Sequence, residues 1–303
     1  MKNFLLTLFI SFTTVAFGQT AAHKQVPGTK CSLVPPAGFV PATSFNGFQH
    51  NESGSSIMIT QMAGPYSKIV AGFVPENLAK QGMTMAKKEV VDFNGNKALS
   101  IKLSQKANGM DYLKEMLVIG NESTTVMVIG TYPETSKNME ATIHKALFST
   151  VYDEKKNDDP VAAANFTIDV TGSDFKIDKT MSGMVIYKMD DEIPSKKPTL
   201  LAGQSIGKVI STDLKQYAIN RVKKLPDLQQ AEIKAANPIT IDGLSGYEIV
   251  ALNKNKDDVA EQTYVAMLFK PDNGYFIIVG KAQADLEMNL NLFKKIASTF
   301  KQK

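Results

Sequence analysis

Two stretches decide the reading of this chain. The first is Glu89-Val90-Val91-Asp92-Phe93-Asn94-Gly95-Asn96-Lys97-Ala98-Leu99-Ser100-Ile101. The second is Asn237-Pro238-Ile239-Thr240-Ile241-Asp242-Gly243-Leu244-Ser245-Gly246-Tyr247-Glu248-Ile249. Each reads as strand, turn, strand, and Gly95 corresponds to Gly243. The match continues outward. Tyr112–Ile119 alternates partially and suits a strand, and its counterpart is Gln262–Phe269. Turn signals follow at Gly120–Ser123 and Pro271–Gly274. Then come Thr125-Val126-Met127-Val128-Ile129-Gly130 and Tyr275-Phe276-Ile277-Ile278-Val279-Gly280, apolar β runs that both end in Gly.

Each run leads into a helical pattern. Over Glu134–Phe148 the apolar residues are Met139, Ile143, Ala146 and Leu147. Over Leu286–Phe300 they are Leu286, Leu290, Phe293, Ile296 and Ala297. The offset stays between 148 and 150 across Gly95/Gly243, Gly130/Gly280 and Ser149/Ser298. Chance does not hold an offset that steady through four elements in order, so the chain reads as a tandem duplication. Earlier in the halves, Ser56–Met62 suits a strand and Pro75–Met85 a helix with Pro in its first turn. Gly183–Tyr187 and Leu200–Ser211 suit strands. Asp213–Lys224 suits a helix capped by Thr212 or Asp213.

The segment Asp153–Asn165 is polar and charged, carries Pro160, and divides the chain. The expected organisation is residues 1–18 as a leader, 19–152 and 166–303 as related domains, and 153–165 as a linker. The leader rests on Lys2, the apolar run Phe4–Phe12, and the small residues Ala16 and Gly18 before Gln19. These are the parts of a secretory signal peptide cut between Gly18 and Gln19. Export to the periplasm or the extracellular space follows, and no later stretch is apolar enough for a transmembrane helix in the mature chain.

The 303 residues include 43% hydrophobic and 21% charged residues, enough apolar material for a core of about two domains. There are 34 Lys+Arg against 30 Asp+Glu, a net charge of +4, and Arg221 is the only arginine. A chain this mildly basic and this short of arginine is poorly equipped to read nucleic acid, so no nucleic-acid partner is expected. The single cysteine, Cys31, excludes an intramolecular disulfide and suits a partly buried strand position.

The order of each half is strands, a helix, an antiparallel group of strands, and a closing helix. With Phe-Asn-Gly or Ile-Asp-Gly before one strand, this resembles the PsbP-like superfamily. The opening Cys31-Ser32-Leu33-Val34-Pro35-Pro36-Ala37-Gly38-Phe39 is similar to the start of those domains. Phe166-Thr167-Ile168-Asp169-Val170 is a weaker echo of it. The resemblance covers most of Lys30–Val151 and Phe166–Phe300, and DcrB-type exported bacterial proteins belong to the same group. It implies an α+β fold, an antiparallel sheet flanked by helices in each of two tandem domains. It also implies that such domains mostly bind or scaffold other proteins.

The chemical constellations are thin. His23 is expected to be disordered near the mature N-terminus, His144 lies on the closing helix, and no His spacing suits zinc. Asp158-Asp159, Asp190-Asp191-Glu192 and Asp257-Asp258 miss the calcium-loop spacing and read as solvated loops. Ser173-Asp174-Phe175-Lys176 and Ser205-Ile206-Gly207-Lys208 match Ser-x-x-Lys, but in strand-like sequence the two side chains would point to opposite faces. Methionines such as Met83-Thr84-Met85 read as core filling. Asn51, Asn121 and Asn165 head Asn-x-Ser/Thr sequences that matter only in a eukaryotic secretory pathway.

No catalytic, cofactor-binding or metal-ligating residue is nominated, and no cofactor is expected. The function expected is an exported, non-enzymatic binding or accessory protein of the bacterial cell envelope, whose partner is an unknown envelope protein or small ligand. The alternative is an envelope enzyme with a non-motif site at the domain junction. Convergent polar side chains with perturbed ionisation in a pocket there would favour it. A purely structural, self-associating protein is the third reading.

Overall fold

The computed structural model describes residues 20–107, 109–156, 159, 161–162, 164–181, 183–190, 197–254 and 258–303. The leader 1–18, Asp158, Asp191, Glu192, Asp257 and part of the segment 153–165 lie outside them.

In the first half the chain forms β1 (Lys24–Gln25), β2 (Cys31–Leu33), β3 (Val40–Pro41), β4 (Gly47–His50), β5 (Ser55–Ala63), α1 (Tyr66–Ala71) and α2 (Pro75–Ala79). It continues with β6 (Met83–Phe93), β7 (Asn96–Ala107), β8 (Met110–Gly120), β9 (Thr124–Pro133), a 3₁₀ turn over Glu134–Met139, α3 (Glu140–Phe148) and β10 (Val151–Tyr152). In the second half come β11 (Phe166–Thr167), β12 (Lys176–Met181), β13 (Met184–Lys188), β14 (Thr199–Gln204) and α4 (Leu214–Lys223). They are followed by β15 (Glu232–Ile241), β16 (Leu244–Lys254), β17 (Ala260–Phe269), β18 (Tyr275–Ala282), α5 (Leu286–Ser298) and β19 (Lys301–Gln302).

Two seven-stranded antiparallel sheets result, ordered β3-β4-β5-β9-β8-β7-β6 and β12-β13-β14-β18-β17-β16-β15. The topology is the same in both, so the chain folds as two tandem α+β domains. Even the irregularities repeat. A bulge lies between Met85 and Lys87 of β6, and another between Ile233 and Ala235 of β15. The β6–β7 and β15–β16 turns use Asn94-Gly95 and Asp242-Gly243, all four at positive φ. That is the two-residue geometry whose twist matches the flanking strands, and it is why Gly stands at 95 and 243. The opening strand also repeats, since β2 pairs with β10 and β11 with β19, each just after the closing helix. The weak echo at Phe166-Thr167 is therefore the true counterpart of Cys31–Leu33.

Each sheet is covered on both faces. Ile143, Ala146 and Leu147 of α3 pack on Leu117, Val126 and Val128, while α2 and its neighbours cover Leu99, Ile101 and Met116 on the opposite face. In the second half α5 places Phe293 and Ile296 against Ala266 and Ile278, and α4 places Ala218 and Val222 against Ile249 and Val265. Burying one such side chain stabilises by roughly 1.5–3 kcal/mol. Gly130 and Gly280 let the closing helices approach. A Cβ on Gly130 would overlap Ile143 Cγ2, and one on Gly280 would overlap the Phe293 ring.

Several expectations need correction. The helix expected over Pro75–Met85 stops at Ala79, because Gly82 turns the chain at φ +68° and Met83 enters β6. The closing helix of the first half begins as a 3₁₀ turn, with Ser136 at non-helical φ and ψ. The strand expected over Leu200–Ser211 ends at Gln204, so Ser205–Lys208 is a loop. Ser173 likewise lies in a turn, so neither Ser-x-x-Lys match is within a strand. His23 is tied down: its Nε2 lies 2.9 Å from the Ser149 carbonyl and its Nδ1 2.9 Å from Thr20 N. Cys31 is on a strand but wholly rather than partly buried. Asp213 caps α4, its carboxylate accepting the Gln216 N–H at 2.9 Å.

Candidate functional site

Strand alternation assigns the two faces of the first sheet. Met116, Val118, Met127 and Ile129 lie on the face covered by α1 and α2. Two residues further along the same strands, that face carries Tyr112, Lys114 and Thr131. There the register sets Lys114 opposite Thr131, Tyr112 opposite Gln105, and Ser56 opposite Thr131. These helices do not reach this end. It forms the floor of a cleft of about 490 Å³, bordered on the other side by Ile206-Gly207-Lys208 from the loop after β14. Both halves of the chain therefore line it.

The junction beside the cleft is closely fitted. The Thr43 carbonyl accepts from Gln204 Nε2 at 2.6 Å and also from Asn165 Nδ2. Gly183, at φ +77° in the β12–β13 turn, packs so tightly on Ser44 that a Cβ there would overlap the Ser44 carbonyl oxygen. Phe45, at the cleft wall, is buried. Asn165, legible only as a glycosylation-type sequence, thus acts as a hydrogen-bond donor across the junction.

The electrostatics of the cleft are one-sided. Lys114 and Lys208 line it, with the hydroxyl-bearing Tyr112, Ser56 and Thr131, and no Asp or Glu is among the described lining residues. Lys114 is half-buried, and burial pushes its ammonium below the ordinary lysine range, with no charged partner among the described residues offsetting the shift. His50 also borders the cleft, but its Nδ1 accepts the Ser53 N–H at 3.2 Å and its Nε2 faces Gly38.

A second polar cluster lies on the opposite face, under α3. Glu115 is 2% exposed, and its Oε1 takes a 2.7 Å hydrogen bond from His144 Nδ1. Its Oε2 is buried without a partner. Lys102, directly opposite Glu115 in the register, holds Glu140 at 2.6 Å. The Lys102 hydrogen bond keeps the Glu140 carboxyl below its ordinary range, and burial together with Glu140 and Glu115 pushes the Tyr132 hydroxyl up to about 12. Glu115 fixes the tautomer of His144, whose ring lies tilted against Phe148 with centroids 4.4 Å apart. The cluster is a buried carboxylate held at one oxygen by a half-exposed histidine. Among the described residues no group of three His, Cys, Asp or Glu side chains assembles as a metal site.

Sequence reasoning nominated neither cluster. Lys114 and Glu115 are adjacent in the strand run Tyr112–Ile119, and only the register shows that one faces the cleft and the other the helix. The usable signal was two consecutive charges inside a core strand. In the sequence Lys208 stands out only as the last residue of a Ser-x-x-Lys match.

No protein-family model matches the chain, and no curated protein is significantly similar to it in sequence. Several solved structures are similar to it. One is LpqN of Mycobacterium tuberculosis, described as involved in cell envelope biogenesis. It is 18% identical with a TM-score of 0.34, covering 44% of this chain and 80% of that one. A second is the cyanobacterial PsbP of Synechocystis, 15% identical with a TM-score of 0.30, covering 50% of this chain and all of that one, at 100%. A third is the T6SS immunity protein TplEi of Pseudomonas aeruginosa, 11% identical with a TM-score of 0.33, covering 95% of this chain and 99% of that one. No helix among the described residues is long and apolar enough to cross a membrane.

Proposed function

We propose that this chain is an exported binding module of the cell envelope that holds its ligand, or a segment of its partner, in the cleft between the two sheets. The observation that carries the reading is the cleft itself: polar side chains from both halves converge on an uncovered sheet end. Export rests on the leader pattern over residues 1–18, and the domain boundary of this reading falls at 153–165. Ser56→Trp, which fills the cleft, tests it. The immobilised chain from Gln19 onward should retain an envelope component reproducibly, and the Ser56→Trp variant, folded by circular dichroism, should not. Equal retention by both would remove the cleft from the function.

A second reading, an envelope enzyme at the same junction, has one observation in its favour. Lys114 combines burial, a lowered pKa and a position in the cleft, which is the signature of a functional amine. Among the described residues no carboxylate, histidine or thiol is bonded to it, so binding is the reading preferred. Turnover of an envelope-derived substrate that is lost in Lys114→Met would reverse that preference.

A further inference from the structure

We infer that the junction cleft recognises an oxyanion, a phosphate or carboxylate group on its ligand, through Lys114 from the sheet floor and Lys208 from the loop above it. The inference rests on the binding reading just given and names the chemistry of that same site.

The argument begins with cost. A half-buried ammonium without a counter-charge is unfavourable, because water no longer solvates it fully and nothing replaces the water. Four other lysines on or beside the sheets meet a carboxylate, while Lys88 of β6 donates to the Phe73 carbonyl instead. Lys102 has Glu140, Lys188 has Asp178, Lys281 has Glu261 and Lys294 has Glu248. Lys114 has no such ion pair among the described residues, and burial is the single cause acting on its pKa. The second lysine of the cleft, Lys208, is exposed on a loop and is also without an ion pair among the described residues. One half-buried and one exposed cation thus face a space whose other polar lining is hydroxyl, amide and the His50 imidazole. An anion entering this cleft meets both charges and no repelling carboxylate among the described lining residues. A cation meets the reverse.

The choice of lysine over arginine shapes the specificity. An ammonium is a compact point charge with three rotatable donors and does not impose the planar fork that arginine does. The site therefore favours an oxyanion by charge more than by shape, which is why phosphate and carboxylate are grouped here. The hydroxyls of Tyr112 and Thr131 on the same floor can donate to the remaining oxygens.

The test is titration calorimetry of the chain from Gln19 onward with inorganic phosphate and, separately, with acetate at matched ionic strength. The same titrations are repeated with Lys114→Gln, Lys208→Gln and the outlying control Lys97→Gln. The expected result is saturable binding of at least one anion, weakened about tenfold or more in Lys114→Gln, weakened less in Lys208→Gln and unchanged in Lys97→Gln. A loss of equal size in all three variants would mean diffuse surface attraction and would overturn the inference. So would saturable binding that survives Lys114→Gln. Failure of both anions to bind, while Ser56→Trp still abolishes capture of an envelope component, would sink the oxyanion inference and leave the cleft reading standing. If Ser56→Trp leaves capture unchanged, the cleft reading itself fails.

Discussion

The same end of the sheet is finished in opposite ways in the two halves. In the second half, Glu261 and Thr263 of β17 occupy the positions that Tyr112 and Lys114 occupy in β8. Thr263 is wholly buried, Glu261 is held by Lys281 at 3.1 Å and Gln283 at 3.2 Å, and Asn253 Nδ2 reaches the Asp227 carbonyl beyond α4. That end is closed by its own chain. In the first half α1 and α2 are short, of six and five residues, and the equivalent end stays open above Lys114. A duplicated scaffold has kept its core in both copies and left one sheet end open, the end proposed above to bind. That end carries an ammonium with no ion pair among the described residues, a cost to stability of the kind that functional sites tolerate.

The largest expected effect concerns what the halves share. Gly280→Ala would drive a methyl into the Phe293 ring, and Gly130→Ala one into Ile143 Cγ2. Overpacking of this kind typically costs 1–3 kcal/mol. Gly280→Ala should lie at the top of that range, because three ring atoms of Phe293 are in the way. Gly130→Ala should cost less, because the helix meets it with the ends of two flexible side chains, Ile143 Cγ2 and, less tightly, Leu147 Cδ1, rather than with a ring. Urea unfolding of each variant checks the order, and equal costs would mean that the two helix contacts are less alike than the register indicates.

The next effect concerns the closing helices. His144 and Lys294 follow Ile143 and Phe293 at matching positions, and each holds a carboxylate of the sheet. His144→Ala leaves Glu115 buried with no partner at either oxygen, so about 1–3 kcal/mol should be lost. Lys294→Ala leaves Glu248, whose side chain keeps 15% exposure and a neighbour in Asn237, and should cost under about 1 kcal/mol. Unfolding midpoints that reverse this order would break the comparison.

A smaller effect separates the tyrosines. Tyr132 and Tyr187 are both pushed up to about 12, Tyr187 by burial alone and Tyr132 by burial with Glu140 and Glu115. A phenol whose folded pKa is raised contributes stability that is fully present below pH ~10, the ordinary value. That contribution is lost as pH rises from there through about 12. In an ultraviolet titration Glu140→Gln should lower the Tyr132 ionisation and leave Tyr187 unmoved. A shift of both would mean that the charge acts through unfolding instead.

Much of this was legible in the residues. The Asn94-Gly95 and Asp242-Gly243 turns, the glycines at 130 and 280, and the apolar spacing of the closing helices mark the repeat and its antiparallel strands, while the seven-strand order comes from the structure. Those features are local in the chain. The corrections share a cause, since they depend on what meets a segment in space. Met83 enters the sheet because Gly82 turns it there, and Phe166-Thr167 becomes a strand because Lys301-Gln302 is beside it. The cleft was illegible for the same reason. Lys114 and Glu115 are neighbours in sequence, and the pleat sends one to an open face and the other to a helix.

The most direct test exchanges the two finishes at one residue. Lys114→Thr gives the first half the residue of the second, and one thermal unfolding series compares it with the unmodified chain, with and without inorganic phosphate. Without phosphate the variant should melt at the same temperature or higher, because a half-buried ammonium has gone. Phosphate should then raise the midpoint of the unmodified chain and not that of the variant, since only a folded state that binds is stabilised. A variant that melts lower and still responds to phosphate would contradict the account.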